Sequence, residues 1–136
     1  PDSSDYTIEA DVRSDGSRRS MSNVGVINQR YIISLVGNWQ QLEVSSNHDR
    51  VKVHVPFAWK RNTWYRLKSR VDIADDGSGV IRAKAWLRGE PEPAEWTIEV
   101  PHAVAHQQGA PGVFGFALQS QYKVYVDNIR VTPNDR

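Results

Sequence analysis

Apolar and polar residues alternate along two long segments in the middle of the chain. These segments cover residues 64–73 and 80–88, and the turn sequence Asp75-Asp76-Gly77-Ser78-Gly79 joins them. Alternation with a period of two is typical of strands that have one buried and one solvated face. We therefore predict two long neighbouring strands connected by a polar turn.

Most of the remaining chain also carries a strand pattern. The further predicted strands cover residues 6–12, 24–28, 31–36, 40–44, 51–55, 95–100, 113–118 and 124–131. About ten short strands separated by polar turns predict an all-β sandwich or barrel. Helical periodicity is not sustained in any window, and the best short candidate is 103–108. A length of 136 residues suits one domain, so we expect a single domain over 1–136, excised from a larger multidomain protein.

The solvated faces of the two long strands carry an unusual set of side chains. They are nearly all cationic and include tryptophan: Trp64, Arg66, Lys68, Arg70, Arg82, Lys84, Trp86 and Arg88. One interpretation is a ligand-binding face, with rings stacking on sugars and cations binding hydroxyl or acidic groups. The other is a solvated face whose long stems cover apolar surface and whose charges pair with glutamates of adjacent strands. Trp86 lies among these basic residues and distinguishes best between the two interpretations, since a solvated face gives no reason for a tryptophan there.

Composition narrows the classes of partner. The 17 basic and 16 acidic residues give a net charge of +1, so any basic patch is local and balanced elsewhere. This balance argues against a nucleic-acid partner. Apolar runs stay well short of the ~20 residues that a membrane span needs, so we expect no membrane partner. The chain has no cysteine, which excludes disulfides and thiolate metal sites.

Four segments carry a resemblance to a known family. In chain order they are FAWKRNTWYRLKSRVDI (57–73), AKAWLRGEPEPAEWTIEV (83–100), GAPGVFGF (109–116) and VYVDNIRVTPN (124–134). They resemble concanavalin-A-like jelly-roll domains of the laminin-G, glucanase and 3-keto-disaccharide hydrolase-like type. The closest likeness is to copies attached to quinoprotein-like β-propeller proteins of environmental bacteria. The resemblance implies an antiparallel jelly-roll β-sandwich in a secreted or periplasmic protein, but not one function, since the superfamily contains lectins, glycanases and adhesion modules.

The sequence lacks the acidic pattern of a glucanase of this fold. Such an enzyme places carboxylates at alternate positions of one strand, where they flank the glycosidic bond. Glu43 is followed at alternate positions by Ser45 and Asn47, and Thr97 separates Glu95 from Glu99. The resemblance therefore implies the fold and argues against retained glucanase catalysis.

Two patterns suggest metal sites, each with a simpler explanation. In jelly-roll modules an Asp placed like Asp127 can bind structural calcium together with N-terminal oxygens, here near Asp2 and Asp5. The simpler explanation for Asp127 is that its carboxylate hydrogen-bonds a neighbouring loop. We therefore expect no cofactor and keep structural calcium as the alternative. His102 and His106 have the i, i+4 spacing of a zinc pair, yet no third ligand is evident, and we expect structural or solvated histidines.

We hypothesise a non-catalytic accessory module that binds acidic polysaccharide through the basic, tryptophan-bearing sheet face. The predicted ligand-binding residues are Arg66, Lys68, Arg82, Lys84, Trp86 and Arg88, with Gln41 and Glu43 on a neighbouring strand and Trp39 beside a turn. Trp59, Trp64 and Trp96 are expected to be structural, with Trp96 facing inward. One alternative is a glycoside hydrolase or lyase that uses Glu43, His54 and Tyr122. Another is a structural domain that docks on its neighbouring propeller through the same face.

Overall fold

The computed structural model describes residues 4–15, 22–37, 39–47, 50–116 and 123–135. Within these ranges it contains ten strands and no helix, and hence no helix that could cross a membrane. The strands are β1 (Tyr6–Ser14), β2 (Asn23–Asn28), β3 (Tyr31–Val36), β4 (Gln41–Ser45), β5 (Lys52–Pro56), β6 (Tyr65–Ile73), β7 (Gly79–Leu87), β8 (Ile98–His102), β9 (Gly112–Phe116) and β10 (Val124–Pro133).

The strands form two five-stranded antiparallel sheets. Sheet I has the order β10-β1-β6-β7-β8, and sheet II has the order β5-β4-β3-β2-β9. The predicted antiparallel jelly-roll β-sandwich is therefore confirmed. The long strand pair is confirmed as well, since β6 and β7 pair in continuous register from Tyr65 opposite Leu87 to Ile73 opposite Gly79.

The core lies between the sheets and follows the alternation seen in the sequence. Leu67 and Val71 of β6 and Ile81 of β7 are fully buried, and they meet Leu35 and Leu42 of sheet II in one hydrophobic cluster. Fully burying such a side chain contributes about 1.5–3 kcal/mol. Trp59, between β5 and β6, is only 3% exposed and belongs to the same cluster, as expected.

The lack of sustained helical periodicity agrees with the structure at 103–108, where a turn is followed by irregular chain. One local prediction, the extent of the eighth strand, is wrong. The eighth strand begins at Ile98, later than the alternation suggests. Because regular strand geometry does not reach Trp96, that residue is not turned inward with Ile98 and Val100. Its ring instead lies under the Nζ of Lys84, 4.8 Å from the ring centre.

Candidate functional site

The predicted cationic face, defined by Arg66, Lys68, Arg82, Lys84, Trp86 and Arg88, is the outer face of sheet I. Its charges are matched by acids of the flanking strands. The guanidinium of Arg66 donates to Asp11 of β1 at 3.1 Å and lies 3.7 Å from Glu9. Arg82 donates to Glu99 of β8 at 2.9 Å and to Asp72 at 3.0 Å. The paired-charge interpretation therefore accounts for these two arginines.

The loop between β7 and β8 covers the middle of the cationic face. Lys84, which is 5% exposed, donates to the carbonyl of Pro93 at 2.6 Å and pairs with Glu92 at 2.8 Å. Lys68 also donates to Glu92, at 3.1 Å. With its ammonium over the Trp96 ring, Lys84 is enclosed by the loop and is not available to a ligand.

The stability of this loop contact should depend on pH. Burial raises the pKa of Glu92, but hydrogen bonds and charge from Lys84 and Lys68 outweigh it, so the pKa lies below its ordinary value of 4.5. Because the pKa of Glu92 is lower in the folded protein, its ionised carboxylate stabilises the fold above pH 4.5. This stabilisation is lost as the pH falls through the pKa that Glu92 has in the folded protein. We expect acid to lower the melting temperature of the parent protein more steeply than that of Glu92→Gln. Thermal melts across this acidic range test it.

Glu90 provides the control, since it lies in the same loop and its side chain makes no ion pair within the described residues. The Glu90→Gln variant should keep the acid sensitivity of the parent. If the melting temperature of Glu92→Gln depends on pH as that of the parent protein does, the Glu92 carboxylate is not the source of the acid sensitivity.

The two tryptophans of this region have different surroundings. The guanidinium of Arg88 lies 4.6 Å from the centre of the Trp64 ring and 3.6 Å from a carboxylate oxygen of Asp11. Trp86 is half-buried and lines a depression of about 650 Å³ at one end of the sandwich, beside Phe57 and Leu87. Trp86 therefore borders an apolar depression at the edge of the basic stripe.

Gln41 and Glu43 do not lie beside the cationic face, and that part of the prediction is wrong. They belong to β4, which is in sheet II. Leu42 and Val44 alternate with them and are buried in the core, so Gln41 and Glu43 point to the outer face of sheet II. Alternation reveals which side chains share a face, but it does not reveal which sheet a strand joins.

A second depression, on the outer face of sheet II, brings Gln41 and Glu43 together with Trp39. We call it the Trp39 depression. It is open, has a volume of about 580 Å³ and is lined by Asn23, Val36, Trp39, Gln41, Glu43, Lys52 and His54. The Trp39 side chain is 74% exposed. Asn23 and Lys52 had not been singled out from the sequence, because nothing local shows that β2 and β5 border the same face.

Hydrogen bonds of Gln40 hold the turn that carries Trp39 against the segment after β5. Gln40 adopts a left-handed conformation with φ of 51°, and its amide donates to the carbonyl of Gly37 at 3.4 Å. Its carbonyl accepts from the amide of Phe57 at 2.8 Å, and its side-chain oxygen accepts from the amide of Trp59 at 2.7 Å. Trp39 is therefore presented on a turn tied to a buried residue.

Strand register determines which polar groups lie beside the tryptophan. Glu43 of β4 lies opposite His54 of β5 on one side and Ser34 of β3 on the other. Ser34 in turn lies opposite Gly25 of β2, where a side chain would overlap the carbonyl of Ile33. The carboxylate of Glu43 therefore has an imidazole on one side and small residues on the other.

Most polar side chains of the Trp39 depression are not engaged with the rest of the protein; the exception is Asn23, whose side-chain oxygen accepts from the amide of Gly37 at 3.0 Å. Across the part of the chain that the structure describes, Gln41, Glu43, Lys52 and His54 make no side-chain hydrogen bond or ion pair, and Trp39 makes no ring contact. This distinguishes the depression from the cationic face, where acids and a loop satisfy the cations. These four side chains and the Trp39 ring are therefore free to bind a ligand.

The described residues contain no group of three or more His, Asp or Glu arranged to hold a metal ion. Asp127 lies opposite Asp11 in the β1–β10 register. It is therefore about 20 Å along the strands from Asp5, at the usual rise of about 3.3 Å per residue. This separation argues against a calcium ion shared by Asp127 and Asp5. Asp2 lies outside the described residues, and calcium at Asp127 stays a prediction.

His102 and His106 both anchor the segment that follows β8. The Tyr31 hydroxyl hydrogen-bonds Nδ1 of His102 at 2.6 Å, and the Ser46 hydroxyl hydrogen-bonds Nε2 of His106 at 2.6 Å. The backbone amide of His106 donates to the Tyr31 hydroxyl at 3.0 Å. These contacts agree with the structural role expected for the two histidines.

No protein-family model and no curated protein matches this sequence. Two solved structures are similar in fold. One is the carbohydrate-binding module CBM66 from Bacillus subtilis, with a TM-score of 0.60 and 15% identity over 96% of this chain and 76% of that one. The other is a bifunctional GH43-CE protein from Bacteroides eggerthii, with a TM-score of 0.60 and 12% identity over 96% of this chain.

At 15% and 12% identity, the two similarities establish the fold of this chain but not its ligand or its role. The chain spans only 19% of the length of the Bacteroides protein. The class defined by the structure is thus an antiparallel β-sandwich of a type also found as a carbohydrate-binding module and within a much longer bifunctional protein.

Proposed function

We propose that this chain is a glycan-binding module and that the Trp39 depression is its binding site. The observation that carries the proposal is the exposed Trp39 ring beside polar side chains that have no partner in the described structure. Ligand sites typically combine an aromatic surface with a few polar groups that orient the ligand. The amide of Gln41, the carboxylate of Glu43 and the imidazole of His54 can donate to or accept from sugar hydroxyls.

The cationic face is the weaker candidate for this role. A ligand there would have to displace ion pairs such as Arg66 with Asp11, or the loop that encloses Lys84. Removing one partner from a buried charge pair is costly, because the other charge is left uncompensated. Binding at the Trp39 depression breaks no such contact. The resemblance to a carbohydrate-binding module supports glycan binding in general and does not favour one face.

The module is proposed to serve a larger secreted or periplasmic protein in an accessory role. The fold similarity to a segment of a much longer bifunctional protein supports that arrangement. Attachment to a β-propeller is suggested by the sequence resemblance alone.

Binding is favoured over cleavage by the acidic groups present. Glycoside hydrolases of the usual kind need two carboxyl groups on either side of the scissile bond. Glu43 is the only carboxylate among the described residues that line the Trp39 depression. His54 faces it across the strands, and Tyr122, the third residue of the enzymatic alternative, lies outside the described residues.

Affinity electrophoresis of the intact chain tests the proposal. We expect slowed migration in gels that contain at least one of dextran, inulin, galactan, polygalacturonate or dextran sulfate. We also expect no release of soluble sugar from the polysaccharide that is bound. Unchanged migration in every gel would contradict glycan binding, and release of sugar would favour the enzymatic alternative.

A further inference from the structure

The Trp39 depression continues into a cationic groove along β4 and β5. A neighbouring depression of about 370 Å³ is lined by Glu43, Ser45, Ser46, Asn47, Arg50, Val51 and Lys52. Glu43 and Lys52 line both depressions, so the two are joined. One end of the combined groove carries the exposed tryptophan, and the other end carries Arg50.

The charges of this groove are separated along its length. Gln41, Glu43 and Ser45 follow one another on the outer side of β4, with spacings of about 7 Å. Lys52 lies opposite Ser45, so its position on β5 is at the end away from Trp39, and its side chain lines both depressions. Arg50 lies two residues before Lys52 and is exposed. The neutral and acidic groups therefore lie towards Trp39, and the two cations lie towards the β4–β5 connection.

The two cations are not neutralised by the described protein. Arg50 and Lys52 make no side-chain hydrogen bond or ion pair with any described residue. On the outer face of sheet I, by contrast, Arg82 and Lys84 each have a carboxylate oxygen within 3 Å. Arg50 and Lys52 are therefore available to an anionic ligand.

The described residues on the two sides of the β4–β5 connection are held together near these cations. The amide of Ser46 donates to the carbonyl of Val51 at 3.0 Å, and the Ser46 hydroxyl bonds His106 at 2.6 Å. The floor of this end of the groove is thus anchored to the segment after β8, while the half-buried Ser45 hydroxyl remains able to bind. An arginine fork, a lysine ammonium and a hydroxyl are well suited to a carboxylate or a sulfate.

We propose that the groove selects polysaccharides that carry an anionic substituent, with the anion bound by Arg50 and Lys52 while a sugar ring stacks on Trp39. This inference rests on the glycan site proposed above and adds the class of ligand and its orientation. Glu43 lies between the two ends, so an anion placed beside Trp39 would be repelled by its carboxylate. The favoured ligand has an uncharged sugar residue at Trp39 and its acidic group further along β4 and β5.

Matched charged and uncharged polysaccharides test the inference. Polygalacturonate is compared with its methyl ester, and dextran sulfate with dextran, so that carboxylate and sulfate are examined separately. In affinity electrophoresis at low salt we expect the charged member of at least one pair to bind about tenfold more tightly, the size of effect given by one charge-assisted contact. The Arg50→Ala/Lys52→Ala variant should lose that preference. The single Arg50→Ala variant, whose residue lines only the neighbouring depression, should reduce the preference and bind the uncharged member as before.

The Arg88→Ala/Arg130→Ala variant is the matched control, since it removes two cations from sheet I, where both have carboxylate neighbours. It should keep the preference for the charged polysaccharide. If the control loses the preference, or Arg50→Ala/Lys52→Ala keeps it, the anion subsite is wrong. If the anion subsite is wrong but Trp39→Ala still weakens binding of the polysaccharide, the glycan site at the Trp39 depression is still supported. Absence of binding to every probe overturns both proposals.

Discussion

Replacing Trp39 by alanine should weaken glycan binding by about tenfold to thirtyfold and leave thermal stability unchanged. The ring is 74% exposed and makes no ring contact among the described residues, so its removal costs little packing. At a binding site, truncation of a tryptophan that carries the contact costs about 1.4–2 kcal/mol, which corresponds to this change in affinity. The measurement is the dissociation constant for whichever polysaccharide retains the parent protein, together with a thermal melt.

Trp64→Ala is the control for the loss of a tryptophan as such. Trp64 lies directly before β6 of sheet I, where the guanidinium of Arg88 is over its ring, and it does not line the Trp39 depression. This variant should bind the polysaccharide like the parent protein. Equal loss of affinity in both variants, or an unchanged affinity in Trp39→Ala, would show that the ligand does not bind at the Trp39 depression.

Replacing Trp59 by alanine should have the largest effect on stability of the changes considered, about 3–5 kcal/mol. Its ring is 3% exposed, and it packs edge-on against Tyr65 with ring centres 6.1 Å apart. Its indole Nε1 also donates to the carbonyl of Val36 at 3.2 Å, at the end of the strand that leads into the Trp39 turn. Truncation leaves a cavity and an unsatisfied carbonyl together. Urea unfolding measures the loss directly.

Two further variants separate packing from the hydrogen bond. Trp59→Phe keeps an aromatic ring and removes the indole donor, so it should cost clearly less than Trp59→Ala. Trp39→Ala, a tryptophan truncation three residues from the strand end but outside the core, should leave the unfolding midpoint in place. A loss of less than about 1 kcal/mol for Trp59→Ala would contradict the role assigned to it in the core.

Much of the fold was predictable because the relevant signal is local. Alternation along β6 and β7 identified the buried positions Leu67 and Ile81, and the polar turn between them predicted that the two strands are neighbours. The start of β8 could not be found in this way. Trp96 continues the alternation of Ile98 and Val100 in the sequence, but its ring is drawn to the ammonium of Lys84 outside the sandwich.

The candidate site was predictable only in part. Trp39, Gln41 and Glu43 were singled out for their chemistry, and the structure brings them together with His54 and Lys52. They had been associated with the basic residues of β6 and β7, which lie in the other sheet. The pairing of Arg66 with Asp11 joins residues 55 positions apart, and such a distant partner leaves no trace in a local pattern.

Sequence by itself determined the strands, the side chains that share each face and the near balance of charge, because strand periodicity and composition are properties of neighbouring residues. Tertiary structure alone decided which strands share a sheet, because strand pairing depends on contacts between distant segments. That decision placed acids beside the cations of sheet I. It also left Trp39, Glu43, Arg50 and Lys52 without such partners in the described part of sheet II.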